Sequence, residues 1–282
     1  MKKIIKFFAG ILFLSSFVLS RPVLAGPPFN AIEGEGGIAL NPLAYLANSG
    51  SNLFEAKFGD FDFTAGKPQI GSWYIGLEDT NINWASWSIA ETFLKRIETS
   101  YGYELVRTPA EKIHKHNIGT KISLVDENSF DLPFLPAVSF GTILKTTSDT
   151  PRGVRSTGAD FYLVTTKLIT QLPRPVLLSG GVLLTQGRVN GILGFDSHWD
   201  IVGFGNIDVL LFDNLAVGYE IKQGPKYGHS RWKDSNYMNV HAGFMATKKL
   251  SLIVAYVYTG DEESTHKVGL GDGFVLSAQY AF

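Results

Sequence analysis

A glycine-rich motif near the start of the chain could hold a phosphate. Residues 34–39 read Gly-Glu-Gly-Gly-Ile-Ala, the spacing of loops that cradle the pyrophosphate of a dinucleotide. Such a loop must join a strand to a helix, and neither pattern flanks this one. Glu33 and Glu35 would also repel a pyrophosphate. We therefore predict no cofactor and interpret the motif as a flexible segment.

Two histidines could ligate a metal from one face of a strand. His114 and His116 are two residues apart, the repeat of a β-strand. They are beside Lys112 and Lys115, whose charges disfavour a bound cation. We predict no metal site.

A hydrolytic site would need a nucleophile next to a base. Asp196, Ser197 and His198 have the residue types of a hydrolytic triad, but sequence neighbours rarely meet in triad geometry. Outer-membrane phospholipases carry a serine two residues after a histidine, whereas His241 is followed at that spacing by Gly243. The sequence therefore predicts a protein that is not an enzyme, with a membrane-embedded hydrolase as third choice.

The elements that must position these residues are strands. Segments of about 9–13 residues alternate apolar with polar or small side chains, the pattern of strands with two different faces. Twelve such strands are predicted, near 67–78, 82–94, 97–108, 115–126, 136–147, 160–171, 175–187, 200–212, 215–223, 236–247, 250–260 and 273–282. Short and long connections alternate along the chain. Two connections break the alternation: residues 127–135 should be a short turn but are long, and residues 79–81 should be a long loop but are short. This asymmetry is typical of transmembrane β-barrels.

The predicted fold is therefore all-β: an antiparallel transmembrane β-barrel of about 12 strands, or 14 if residues 26–66 supply two more. Apolar side chains would face lipid and polar ones the lumen. The predicted lumen-lining residues are Glu104, Lys121, Lys145, Lys167, Asp208, Glu220, Lys222 and His241. They could select a solute or fill the barrel with ion pairs.

The two chain ends carry export signals. Lys2, Lys3 and Lys6 precede an apolar run, and the sequence predicts a signal peptide over 1–25 that is cleaved after Ala25. The last strand ends in an alternating apolar face, which predicts recognition by the barrel-assembly machinery. Its signal residues are Phe274, Leu276, Tyr280 and Phe282.

These signals divide the chain into the signal peptide, a periplasmic or plug segment over 26–66, and the barrel over 67–282. Composition agrees with a barrel, because charged residues are 18%, below the roughly 25% of soluble domains. The 282-residue chain has no cysteine, so disulfides and thiolate sites are excluded. Cleavage leaves 21 basic against 26 acidic residues, which does not indicate a nucleic-acid partner.

Several stretches resemble a family of Gram-negative proteins known only as a domain of unknown function and regarded as outer-membrane β-barrels. They are residues 36–45, 116–119, 159–162, 173–175 and 215–220. The resemblance implies the fold and the location, and it supplies no catalytic residue.

Together these patterns predict a barrel of the cell outer membrane, in contact with its lipid, that acts as a channel or transporter for a small solute. A structural or assembly barrel with a filled lumen and no transport is the alternative.

Overall fold

The computed structural model describes residues 29–150, 152–260 and 266–282. The predicted signal peptide and its cleavage site lie outside this part of the chain. No helix within it is long and apolar enough to cross a membrane. The described residues form an antiparallel β-barrel. Its strands are β3 (Gln69–Leu77), β4 (Ile82–Phe93), β5 (Ile97–Arg107), β6 (Lys112–Val125), β7 (Ala137–Thr147), β8 (Thr157–Ile169), β9 (Val176–Gly187), β10 (Phe195–Phe212), β11 (Leu215–Lys222), β13 (Tyr237–Met245), β14 (Leu250–Tyr258) and β16 (Asp272–Ala281).

The barrel closes because the last strand pairs with the first. Strand β16 is hydrogen-bonded to β3 from Gly273–Leu77 to Ala281–Gln69, and each other strand pairs with its neighbour along the ring. The prediction of twelve strands is confirmed. Its alternative of fourteen is wrong, although two more strands do form before the barrel.

Those two strands make a separate hairpin. Strands β1 (Phe54–Phe58) and β2 (Phe61–Ala65) pair with each other, and only the pair Ala65–Phe93 joins them to the barrel sheet. A single residue pair cannot carry a ladder around the ring, so the hairpin stands beside the barrel.

The connections differ at the two ends of the barrel. The end that carries residues 148–150, 152–156, 188–194, 223–236, 259–260 and 266–271 is called the loop end. There β12 (Lys233–Asp234) and β15 (Lys267–Val268) pair in parallel. The opposite end, which includes Phe282 and the connections 94–96, 170–175, 213–214 and 246–249, is called the turn end. The two irregular connections expected from the sequence are present, since 126–136 is long and 78–81 is short.

Side chains on the two faces of the wall differ in polarity. On β16, Phe274, Leu276 and Phe282 are 45%, 52% and 47% exposed, while Ser277 and Gln279 on the opposite face are buried. The same alternation runs through the other strands. The outside is therefore apolar, as a wall in contact with lipid requires.

Candidate functional site

The lumen contains a segment of the chain that precedes the barrel. Residues 29–49, called the plug, are almost all buried. The plug starts beside Gln69 at the turn end, reaches Lys115 and Lys145 deeper in the barrel, and returns to the turn end beside Thr92. It enters and leaves through the same mouth.

Tight turns let the plug fit. Ala31 N–H donates to Glu35 O at 2.7 Å and Ile32 N–H to Ala39 O at 3.0 Å, so the backbone folds on itself without a regular element. Gly34 has φ +112°, a conformation that favours glycine. It lies against Gly102 of the wall, where an added Cβ would be 2.2 Å from Glu33 O. Close backbone contact therefore requires glycine at position 102.

The deepest plug carboxylate binds two wall lysines. Glu33 Oε1 is 2.5 Å from Lys115 Nζ and 2.5 Å from Lys145 Nζ. Wall carboxylates also pair with these lysines, with Glu104 Oε1 2.9 Å from Lys115 and Asp160 Oδ2 2.6 Å from Lys145. Burial alone would raise the pKa of Glu33, but the two ammonium groups hold that pKa well below its usual range.

The next plug carboxylate is placed very differently. Glu35 is buried, and its Oε2 has no hydrogen-bond partner among the described residues. Burial and the neighbouring Glu33 carboxylate raise the pKa of Glu35 from 4.5 to about 7, against the attraction of Lys145 and Lys121. The plug is therefore most stable in the lumen when Glu35 is protonated.

A second ion pair binds the plug backbone nearer the turn end. Glu98 Oε1 accepts from Gly36 N–H at 2.8 Å, and Glu98 Oε2 accepts from Ala47 N–H at 2.6 Å. Its partner Lys121, at 3.0 Å, donates to Gly36 O and Tyr45 O. One buried pair thus satisfies two backbone donors and two backbone acceptors, which fixes this part of the plug.

A wall carboxylate caps the opposite side of the plug. Glu220 accepts from the consecutive N–H groups of Ala39, Leu40 and Asn41 at 3.2–3.3 Å and from Asn239 Nδ2 at 2.6 Å. Three backbone donors pointing at one carboxylate form an anion-binding concavity. Here the plug supplies the concavity and the wall supplies the anion.

The start of the plug bridges the seam where the barrel closes. Asn30 Nδ2 donates to Gln69 O at 3.2 Å, and Gln69 Nε2 donates back to Asn30 Oδ1 at 2.7 Å. Asn30 N–H donates to Gln279 Oε1 at 3.1 Å, while Gln279 Nε2 donates to Asn30 O at 3.2 Å. Gln69 and Gln279 belong to β3 and β16, so Asn30 binds both strands of the seam.

The loop end of the lumen is closed by a connection that folds inward. Val189 and Ile192 of 188–194 are buried. Val189 N–H donates to Asp234 Oδ2 at 2.8 Å, and Asn190 Oδ1 accepts from Lys222 Nζ at 2.8 Å. The lumen is therefore filled from both ends in this structure.

Seven of the eight predicted lumen-lining residues lie inside the barrel. They are Glu104, Lys121, Lys145, Asp208, Glu220, Lys222 and His241, all buried. Asp208 and His241 pair at 2.6 Å. The prediction that Lys167 lines the lumen was wrong, because its position in β8 places its side chain on the outward face. Lys167 is near the end of the strand and binds Asn128 and Glu127 of the connection 126–136. Whether the inward set selects a solute stays a prediction.

Sequence reasoning missed several inward residues that share a strand face with predicted ones. Glu98 is six residues before Glu104 on β5, and Lys115 is six before Lys121 on β6. Even spacings put each pair on one face. Strict alternation would have found them.

The clusters considered for chemistry are not assembled for it. His114 and His116 point outward, hydrogen-bonded to Tyr103 and Tyr101 at 2.7 and 2.8 Å. No group of three or more ligand-type residues in the described chain could hold a metal. At the loop end, Ser197 Oγ and Asp196 Oδ1 both contact His198 Nδ1, at 3.1 and 3.3 Å. A triad needs the two ring nitrogens to serve different partners.

Known structures share this fold. The KdgM porin matches with a TM-score of 0.52 and 14% identity over 76% of this chain and 99% of that chain. The KdgM porin in complex with disordered oligogalacturonate matches with a TM-score of 0.54 and 13% identity over the same shares. The NanC porin matches with a TM-score of 0.48 and 11% identity over 77% of this chain and 99% of that chain. No curated protein matches the chain.

The match to a protein family covers most of the barrel and the plug. A family model described as "Protein of unknown function (DUF3034)" matches residues 27–269, which confirms the resemblance seen in the sequence. The chain belongs to this family, and its fold is the β-barrel of outer-membrane porins.

Proposed function

We propose that the protein is an outer-membrane channel for a small solute, closed in this structure by its own plug. One observation carries the proposal: four cationic groups of the lumen wall have wall carboxylates as partners, yet the same wall binds the plug through ion pairs and backbone hydrogen bonds. The wall carboxylates Glu104, Asp160, Glu98 and Asp208 pair with Lys115, Lys145, Lys121 and His241, respectively. These four pairs remain when the plug leaves.

The plug is built to separate from the barrel. None of its residues lies in a barrel strand, and the ring of strand pairs closes without it. Because both of its ends are at the turn end, it can be withdrawn without threading through the barrel. Water can replace the hydrogen bonds that its backbone makes with wall side chains.

A structural barrel with a permanently filled lumen is the second candidate. The density of plug contacts and the inward-folded connection 188–194 favour it. The two candidates differ in one measurable property, because only a removable plug lets ions cross.

Conductance in planar bilayers separates them. We expect rare openings in the unaltered protein and sustained conductance in Gly102→Ala, because the added Cβ takes the place of the plug backbone at Glu33. The connection 188–194 opens with the plug, since Val189 and Ile192 share one apolar cluster with plug residues and lose that support when the plug leaves. Gly76→Ala is the matched control, since a Cβ there meets nothing closer than 3.7 Å. If Gly102→Ala inserts normally but conducts no more than Gly76→Ala, the lumen is permanently filled and the channel proposal fails.

Location is proposed on the apolar outer face and the terminal strand. The protein should be recovered in the outer-membrane fraction and migrate differently on a gel before and after heating. Its first residue should be Gly26 if the signal peptide is removed after Ala25. Recovery as a soluble periplasmic protein would refute the whole proposal.

A further inference from the structure

The lumen wall is not uniformly polar. At the loop end, strands β3, β4, β14 and β16 turn Ile75, Leu77, Trp84, Val257 and Val275 inward, all at most 7% exposed. The lumen of a water-filled porin is polar. An apolar inner wall opposite the charged one therefore needs a separate explanation.

This wall encloses a small chamber. Ile32, Ala39 and Leu40 of the plug form its floor, and Val189 of the inward-folded connection borders it. The free volume is about 30 Å³, enough for one or two water molecules. The apolar plug side chains occupy the space that an apolar solute would need. Binding of such a solute therefore competes with the plug.

One buried cation borders the chamber without a counter-ion. Lys115, Lys121 and Lys145 each have a carboxylate within 3.0 Å. Lys222 is 7% exposed, and within the described residues it forms no ion pair, donating only to Asn190 Oδ1. The carboxylate of the neighbouring connection, Asp234, accepts instead from Val189 N–H and the hydroxyls of Tyr227 and Tyr237. The carboxylates of Glu33 and Asp234 attract the Lys222 ammonium only from beyond ion-pair distance. A buried ammonium with no carboxylate in direct contact favours an anion.

A second polar group in the chamber wall is unused. Trp84 Nε1 is buried and has no hydrogen-bond acceptor among the residues that the structure describes. Buried indole N–H groups usually have a partner. An acceptor atom on a solute would satisfy Trp84 as well as Lys222.

We infer that the chamber, once the plug side chains have left it, is the binding site for a small carboxylate with an apolar body, such as an aromatic carboxylate. Lys222 binds the carboxylate, Trp84 donates to an acceptor on the solute, and the apolar wall packs on the body. Sugar acids fit poorly, because their hydroxyl groups would be buried against side chains that cannot hydrogen-bond. The inference rests on the proposed channel function and names its solute class.

Equilibrium binding tests the inference apart from transport. Benzoate and its neutral isostere benzamide are titrated calorimetrically into the full-length protein in detergent, with and without Gly102→Ala to loosen the plug. We expect benzoate to bind at least about tenfold more tightly than benzamide, the difference that a hydrogen bond to a charged group supplies. Gly102→Ala should tighten benzoate binding, because the plug no longer competes.

Variants identify the groups. Lys222→Met should erase the preference for benzoate, Lys222→Arg should keep it, and Trp84→Phe should weaken binding with the ring retained. Lys112→Met, which removes an exposed lysine of β6, is the control and should change nothing. Equal affinity for the two ligands, or an unchanged preference in Lys222→Met, overturns the inference. Conductance is measured separately from binding. A channel that conducts but does not prefer benzoate refutes the inferred solute class and leaves the channel proposal intact. A protein that binds benzoate but does not conduct refutes only the channel proposal.

Discussion

Replacing Glu98 by glutamine should open the channel without damaging the barrel. Glu98 is 1% exposed and receives the Gly36 and Ala47 N–H groups of the plug while it pairs with Lys121. Glutamine has the same shape and keeps one acceptor oxygen, but it carries no charge. The loss falls on the plugged form, because water reaches Lys121 once the plug has left.

The size of the effect follows from three interactions. A hydrogen bond to a charged acceptor is stronger than a neutral one by about 1 kcal/mol, so the bond that the glutamine oxygen keeps is weakened by about that amount. The other backbone N–H then faces the amide NH2 group and is left unpaired, which costs about 1–3 kcal/mol. Lys121 loses its counter-charge in the plugged form while keeping its bonds to two backbone carbonyls. Together these favour the open form by about 2–4 kcal/mol, which is roughly a 30- to 700-fold change in the ratio of open to closed channels.

Single-channel recording measures that ratio directly. Open probability is compared between the unaltered protein, Glu98→Gln and the control Glu91→Gln, whose side chain has the outward parity of β4. Glu91→Gln should behave as the unaltered protein. An open probability in Glu98→Gln within about twofold of that control would mean that the Glu98–Lys121 pair does not retain the plug, and the reasoning from contacts to gating would be refuted.

Three further results are expected. Conductance should rise between pH 5 and pH 8, because burial and Glu33 raise the pKa of Glu35 to about 7 in the plug. The stability that Glu35 protonation gives to the plugged form is fully present below pH 4.5 and is lost as the pH rises through 7. Glu35→Gln should reduce this rise, and an unchanged profile would contradict the reasoning. Deleting Phe282 should reduce the amount of heat-modifiable protein in cells, while refolding in detergent stays normal because the Phe282 backbone adds only one hydrogen bond, to Pro68 O. The control Phe61→Ala, which changes an exposed residue of the hairpin, should have no effect. Normal assembly without Phe282 would refute the insertion signal. Asn30→Ala should lower the unfolding temperature, because Gln69 Nε2 loses its buried acceptor and Gln69 O and Ser88 Oγ lose a donor, at about 1–3 kcal/mol for each group left unpaired; an unchanged temperature would show that water replaces them.

The barrel could be predicted from the sequence because its pattern is local. A strand that separates lipid from a lumen alternates residue by residue, so β16 can be recognised from Phe274 to Phe282 alone. The predicted strand β10 began near 200, whereas the strand starts at Phe195, because a register shift separates the pair Phe195–Gly187 from the regular ladder that begins at Asp200. Lys167 shows a second limit of sequence patterns, which is that a charged residue near a strand end need not face the lumen. Its long side chain starts on the outward face of β8 and reaches the rim of the barrel.

The plug could not be predicted because its contacts are distant in sequence and it has no period. Ala39 binds Glu220 across 181 residues, and Asn30 binds Gln279 across 249. Glycine, alanine and asparagine in tight turns give no strand or helix signal. Whether 26–66 would fill the barrel or lie beneath it was therefore open from the sequence. The charges that hold it were recognisable, but not their partners.

The bridge that Asn30 makes across the seam has a consequence for the order of folding. Gln69 is at the beginning of the barrel chain and Gln279 at its end, so Asn30 meets both only after β16 has zipped onto β3. Contacts of such long range form late, after the entropy of closing the intervening chain has been lost. The Asn30 bridge is therefore completed only after the ring has closed. A barrel closed with a shifted register would separate Gln69 from Gln279, so the bridge favours the barrel that has closed in the correct register.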